Sequence, residues 1–294
     1  MVTRCVIALF IGLLVTLTPG RASAQYAPRG LTISPVRQEI TVVPGGTATG
    51  SFIIGNSSEK PMLVDISVEQ FSVADYSYDY EFRAPPSYDW VKFPQKQVEL
   101  EPNKTRKIIF SVTVPEKAPP GGYYFSLFAS TTLEGPGLPG TVRAASLLYT
   151  KVDGELIRTG VMENASVPLW VFGSEVPYEF DVKNTGNVHF SAYFYGQLTG
   201  LLGSLPEVGT SHLLMPDAVR TIEGSVPTPF FPGIYKMTYG YKVDFADIIT
   251  TKSGYIIFIP PWSIIGLAFF GYGVWWAWQR RSHLLQRLKQ LKKR

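Results

Sequence analysis

Cysteine is almost absent from this chain: one residue, Cys5, in 294. Everything after it is therefore without a disulfide, a zinc–thiolate site or a cysteine nucleophile. Histidine is also scarce, with His189, His212 and His283 the only three. No His-Glu-x-x-His pair, Gly-x-Ser-x-Gly elbow or glycine-rich phosphate loop after a strand occurs. These absences leave no named constellation for an enzyme, and no catalytic, cofactor-binding or metal residue is assigned. His189, in the turn Asn184-Thr-Gly-Asn-Val-His189, is expected to hydrogen-bond structurally, and His212, after Gly209-Thr-Ser, to be solvated.

Amphipathic helical periodicity is missing between residues 25 and 257, and charge is missing between Ser253 and Arg280. The run Tyr255 to Trp278 is long enough for a bilayer, which needs about 20 apolar residues. Pro260 and Pro261 suit a first helical turn. Trp262 at one end and Trp275, Trp276 and Trp278 at the other suit two interfacial belts. The tail Arg280–Arg294 carries seven Lys/Arg and no acid, the signature of a cytoplasmic flank. At the other end, Arg4, the apolar Cys5–Leu17 and Ala22-Ser-Ala24 read as a signal peptide cleaved after Ala24. The expectation is a single-pass protein of the plasma membrane, with N-terminal domains outside and C-terminus inside. The tail, with Leu284, Leu285, Leu288 and Leu291 on one helical face, is read either as a helix lying along membrane lipid or as one that continues into the cytosol.

Net charge is +4, but unevenly placed. The part between 25 and 258 holds all 23 Asp/Glu, and lacks the leader's Arg4 and Arg21 and the seven tail cations. It is acidic overall, so the sequence pI near 9.0 does not mark a nucleic-acid binder.

What fills this part is period-two patterning broken by Gly, Pro, Asn and Asp, the mark of antiparallel sandwiches. Met62, Val64, Ile66 and Val68 alternate with Leu63, Asp65, Ser67 and Glu69; Ile108, Phe110, Val112 and Val114 form a second row, and Tyr123, Phe125, Leu127 and Ala129 a third. One phrase recurs: a strand ending at Asn56-Ser-Ser precedes the Met62 strand, and one ending at Asn184-Thr-Gly precedes the Val188–Leu198 strand. The fold class is an all-β ectodomain of two Ig-like β-sandwiches in tandem followed by one C-terminal transmembrane helix. Its parts are a signal peptide (1–24), a first sandwich (25–155), a second (156–257), the helix (258–279) and a basic tail (280–294).

The first half holds Leu31-Thr-Ile-Ser-Pro-Val-Arg37, Val43-Pro-Gly-Gly-Thr47, Phe52-Ile-Ile-Gly-Asn56, Tyr88-Asp-Trp-Val91, Leu100-Glu-Pro-Asn103 and Val114-Pro-Glu-Lys-Ala-Pro-Pro-Gly-Gly-Tyr-Tyr124. In this order they resemble the bacterial surface domain formerly known as DUF916, the peptidoglycan-binding domain of WxL-interacting proteins. The second half, with Lys183-Asn-Thr-Gly-Asn-Val-His189, Leu214-Met-Pro-Asp-Ala-Val-Arg220 and Pro232-Gly-Ile-Tyr235, is similar to the membrane-proximal Ig-like domain of related proteins. The resemblance implies a surface protein binding a cell-wall polymer (peptidoglycan) or a partner surface protein. The opening strand with Arg37 also resembles that of pilus chaperones, which implies the alternative of a membrane-tethered chaperone or assembly module acting by strand pairing.

Asp75-Tyr-Ser-Tyr-Asp-Tyr-Glu-Phe82 reads as a strand with Asp75, Ser77, Asp79 and Glu81 on one face and Tyr76, Tyr78, Tyr80 and Phe82 on the other. Calcium is the ligand to weigh against a solvated acidic face, which the missing loop glycine and terminal glutamate favour. Trp90 and Trp170 are expected in the cores, and the Leu133–Gly140 loop is expected to be mobile. Asn56, Asn103 and Asn164 form Asn-x-Ser/Thr sequons, relevant only in a eukaryotic secretory pathway.

Overall fold

The computed structural model describes residues 30–133, 140–243 and 249–291. The signal peptide, most of the Leu133–Gly140 loop and the last three tail residues lie outside the described residues, as do the tail side chains from Ser282 onward.

The first ten strands are β1 (Leu31–Ser34), β2 (Arg37–Val42), β3 (Thr47–Asn56), β4 (Met62–Val73), β5 (Tyr80–Arg83), β6 (Val91–Lys92), β7 (Gln97–Leu100), β8 (Thr105–Thr113), β9 (Gly121–Leu133) and β10 (Gly140–Val152). They form two facing sheets, β1-β3-β8-β6 and β2-β10-β9-β4-β5, with β7 also on β4. The alternation read from the sequence becomes burial: Met62, Val64 and Ile66 face inward while Leu63, Asp65 and Ser67 face out. Between the sheets lie Phe52, Ile54, Phe110, Phe125, Leu127 and Leu148, each almost wholly buried. Trp90 joins this core, its ring centroid 4.3 Å from that of Tyr123. Gly50 sits under Phe110, where a Cβ would come within 2.3 Å of the ring, so no larger residue fits without moving it.

The remaining strands are β11 (Gly160–Ser166), β12 (Trp170–Val171), β13 (Glu175–Asn184), β14 (Phe190–Gly200), β15 (Gly203–Ser204), β16 (Val208–Leu214), β17 (Val219–Pro227), β18 (Gly233–Val243) and β19 (Ile249–Phe258). Their sheets are β11-β13-β17 and β12-β19-β18-β14-β15, with β16 on β14. Phe180, Phe194, Leu198, Leu214 and Tyr241 fill this second core. Trp170 does not: it is 53% exposed, because β12 is two residues long and turns only Val171 inward.

The recurring asparagine is a repeated staple. Asn56 donates through Nδ2 to the carbonyls of Lys60 (2.7 Å) and Leu100 (3.1 Å), and its Oδ1 accepts from the Ser58 N–H (2.9 Å). Asn184 does the same with Val188 (3.0 Å), Leu214 (3.1 Å) and the Gly186 N–H (2.8 Å). The backbone repeats as well: the Asn56 N–H donates to Lys104 and the Asn184 N–H to Ala218, across turns in which Asn103 and Asp217 both hold positive φ. Each amide side chain thus ties a turn to the end of a distant strand inside the core. Asn184→Ala leaves three buried backbone groups unpaired and is expected to cost about 2–3 kcal/mol in urea unfolding. Asn184→Asp, which keeps the acceptor and loses the donors, should recover only part of it.

Helix α1 (Pro261–Leu291) follows β19. The expectation of a single-pass membrane anchor is overturned here. Among the described residues no helix is long and apolar enough to cross a membrane. The physical reason lies in what dilutes the charge-free run: Trp262, Trp275, Trp276, Trp278 and Tyr272 carry polar ring groups, and Gly266, Gly271 and Gly273 contribute no apolar bulk. From Pro261 to Arg281 the helix is exposed except at Ser263, and Trp262 stacks on Phe230, centroids 5.4 Å apart.

Candidate functional site

Two features outside the cores concentrate polar chemistry: the joint between the sandwiches and the outer edge of β10. The joint begins with β2 pairing in parallel to the second half of β10, Arg37 beside Leu147, Glu39 beside Tyr149 and Thr41 beside Lys151. Glu39 forms an ion pair with Lys151. Burial alone would raise the Glu39 carboxyl; the hydrogen bond and charge of Lys151 outweigh it and hold the group below its ordinary value.

His189 enters this corner from the second sandwich. Its ring lies against Tyr149 and Tyr124, centroids 4.9 and 5.5 Å away, with Nε2 3.7 Å from Glu39. The Tyr124 hydroxyl accepts from the His189 N–H (2.9 Å) and shares a hydrogen bond with Nδ1 (3.0 Å). Burial pushes the imidazole down to about 4, against the pull of Glu39, so it is neutral at pH 7. Nearby, Asn187 donates to the Pro120 and Glu155 carbonyls and accepts from the Ile157 N–H. The structural role expected of His189 is thus a role at the domain joint.

Residues 75–82 are placed differently from the expectation. Only Tyr80–Arg83 is strand; Asp75–Tyr78 forms a turn in which Tyr76 and Tyr78 have positive φ, so the two-faced ladder of acids and tyrosines does not form. The turn is a second tie between the sandwiches. The Asp75 carboxylate accepts from the Val219 N–H (2.8 Å), the Tyr76 N–H donates to the Val219 carbonyl (2.8 Å), and the Tyr78 hydroxyl accepts from the Met215 N–H. No group of acids and histidines able to hold a metal ion occurs among the described residues. A small apolar cluster of Phe71, Val73, Tyr149, Met215 and Ala218 closes the joint between these ties.

Two hollows flank this cluster. One of about 550 Å³ is bordered by Phe71, Asp75, Glu81, Tyr124 and Asp217. The other, about 380 Å³, is bordered by Arg37, Ser77, Tyr78, Tyr149 and Arg220. Arg37 lies over the Tyr149 ring (4.1 Å) and Arg220 over Tyr78 (4.4 Å). His212, expected to be solvated, is half-buried instead: Nδ1 faces Arg220 at 3.2 Å and Nε2 faces Thr210 at 2.9 Å. Burial, and then the Arg220 charge, lower its pKa.

The second feature is a strand covered along half its length. β10 pairs with β9 from end to end, but with β2 only over Leu147–Val152. The Leu147 N–H donates to the Val36 carbonyl, which fixes the parity of the strand. Thr141, Arg143 and Ala145 turn their N–H and C=O groups the same way, away from β9. Among the described residues no backbone partner meets them. On the inward face Val142 and Ala144 pack against the first core. Arg143, facing out, lies 3.8 Å over the Phe128 ring and hydrogen-bonds Glu69.

Paired sheets in which the second strand of each unit, β2 or β12, lies parallel beside the last, β10 or β19, define the class: two Ig-like β-sandwiches in tandem. No family model matches the chain, and no curated protein matches it. Solved structures similar to it include the class 5 fimbriae chaperone CfaA, at 12% identity and a TM-score of 0.45 over 79% of this chain and 100% of that one. The E. coli chaperone DraB is similar at 13% and 0.36, covering 78% and 97%. The Pseudomonas aeruginosa CupB2 chaperone is similar at 14% and 0.33, covering 75% and 98%. Likenesses this distant assign no role to any residue here.

Proposed function

We propose that this chain is a non-enzymatic assembly module that takes up an extended segment of a partner protein by β-strand addition along the free edge of β10. The observation that carries this reading is the run Thr141–Ala145, whose outward N–H and C=O groups meet no backbone partner among the described residues while Val142 and Ala144 already face the first core. A strand laid there would continue both the ladder and the core beneath it. An exposed edge is a liability that proteins usually blunt with prolines, bulges or charges; this stretch has no proline or bulge, and its one charge, Arg143, is engaged by Glu69 and Phe128. The non-enzymatic part of the reading is supported by the two described histidines, whose rings are engaged by Tyr124 and Glu39 and by Arg220 and Thr210. The geometry favours a protein segment over the wall polymer of the family resemblance, since unpaired backbone groups in a row match a peptide and not a sugar.

The test separates edge from ladder. A photoreactive amino acid at Arg143 of the full chain, in the cells that make it, is expected to give a covalent adduct with a protein. Ala145→Pro removes only an outward N–H and should cost no more than about 1 kcal/mol, since proline is tolerated on edges. It should nevertheless reduce the adduct at least tenfold. Ala144→Pro removes an N–H that bonds β9 and should lower the melting temperature markedly. An adduct undiminished in Ala145→Pro, or peptidoglycan co-sedimentation without any protein adduct, overturns the reading.

A further inference from the structure

The 380 Å³ hollow between the sandwiches has an unusual charge balance. Arg37 comes from β2 of the first sandwich and Arg220 from β17 of the second. Neither is in an ion pair among the described residues. The wall contains no carboxylate: besides the two arginines it is Val73, Ser77, Tyr78, Tyr80, Leu147, Tyr149, Leu213 and Met215. Of the acids on adjoining elements, Glu39 pairs with Lys151 and acts on Arg37 only at longer range, and Asp75 accepts from the Val219 N–H. Each guanidinium rests on a tyrosine face, an arrangement that fixes its plane and leaves edge N–H groups to donate. Arg220 is further held by the Leu213 carbonyl (3.0 Å) and by His212 Nδ1 (3.2 Å), which leaves its other N–H groups to donate. Two oriented cations outside any ion pair, in a recess with hydroxyl groups nearby, are built to receive oxygen acceptors.

We propose that this hollow binds a small, doubly charged oxyanion of the phosphate or sulfate kind, gripped between Arg37 of one domain and Arg220 of the other. Two guanidinium groups neutralise two negative charges, which a lone carboxylate does not supply. Because the grips belong to different domains, the bound ion ties the sandwiches together and stabilises the joint by mass action. Its wall does not include Thr141–Ala145, so it is tested apart from the β10 edge.

The experiment is thermal unfolding of the full chain at pH 7.5 in inorganic phosphate, sulfate, acetate and chloride at matched ionic strength, with calorimetric titration of phosphate. Phosphate and sulfate are expected to raise the melting temperature in a saturable way, and acetate and chloride to leave it nearly unchanged. Arg37→Gln and Arg220→Gln should each weaken phosphate binding at least tenfold. Arg37 is exposed and makes no hydrogen bond or ion pair among the described residues, so Arg37→Gln tests the site with the fold intact even if Arg220→Gln disturbs the joint. Sulfate also stabilises proteins by exclusion from their surfaces, but that effect would persist in both variants. A rise equal in acetate, or one unchanged in Arg37→Gln, overturns the proposal.

Discussion

Tyr124→Ala is expected to uncouple the two sandwiches, turning one cooperative unfolding transition into two. The side chain is the pivot of the joint. Its ring touches Phe71, Tyr149 and His189 with centroids 5.5–5.7 Å apart, and its hydroxyl meets both the backbone and the ring of His189. The chain makes room for it with Gly122, where a Cβ would lie 2.1 Å from the hydroxyl oxygen. Removing the ring deletes apolar contact with both domains and leaves the His189 N–H without an acceptor. Truncation of a buried aromatic costs about 3–5 kcal/mol. Here the loss falls on the interface, since each sandwich keeps its own core. Tyr124→Phe, which loses only the hydroxyl, should cost about 1–2 kcal/mol and preserve a single transition. Differential scanning calorimetry of the three proteins decides the matter. A single unshifted transition in Tyr124→Ala would mean that the remaining ties, the Asp75 turn and the bonds of Asn187 to Pro120 and Gly122, suffice to couple the sandwiches.

How far the sequence reaches is shown by particular residues. The β4, β8 and β9 rows were legible because a period of two has one burial solution when a sheet has one core. The asparagine repeat was legible as a phrase, and its chemistry, one amide closing a turn and a strand end together, followed only from the coordinates. The free edge of β10 was hidden, because it depends on β2 pairing in parallel with residues more than a hundred positions away and stopping at Leu147. The Asp75–Phe82 stretch misled because alternating acids and tyrosines satisfy the strand pattern, while the positive φ of Tyr76 and Tyr78 comes from ties to Val219 and Met215 in the other domain. Trp170 misled for the opposite reason: apolar neighbours suggested a core, and a two-residue edge strand buries only one of them. In the C-terminal run, absence of charge stood in for apolarity, which tryptophan, tyrosine and glycine do not provide in the same measure.

Acidification from pH 7.5 to pH 4 is expected to weaken the joint through His189. The ring is 4% exposed and faces Tyr124, Tyr149, Glu39, Lys151 and, at longer range, Arg37. Burial, the largest influence, lowers its pKa from 6.5 to about 4; Glu39 opposes this, and Lys151 and Arg37 reinforce it. Between those two values the unfolded chain binds a proton that the folded chain refuses, so stability rises with pH across the window. The contribution is fully present above about pH 7, declines as pH falls through 6.5 and is exhausted near 4. At 1.36 kcal/mol for each pH decade of displacement, the bound is about 3 kcal/mol. Glu39 works in the same direction at lower pH, since protonating a carboxyl held below its ordinary value releases Lys151. Urea unfolding of the full chain at pH 7.5, 6.0 and 5.0 reads the slope of stability against pH. His189→Gln, a neutral side chain that still carries a donor and an acceptor, should flatten that slope over this range while leaving the stability at pH 7.5 closer to that of the parent than Tyr124→Ala does. Parallel slopes in the parent and His189→Gln would place the titrating group elsewhere, with His212 beside Arg220 the next to test by the same substitution.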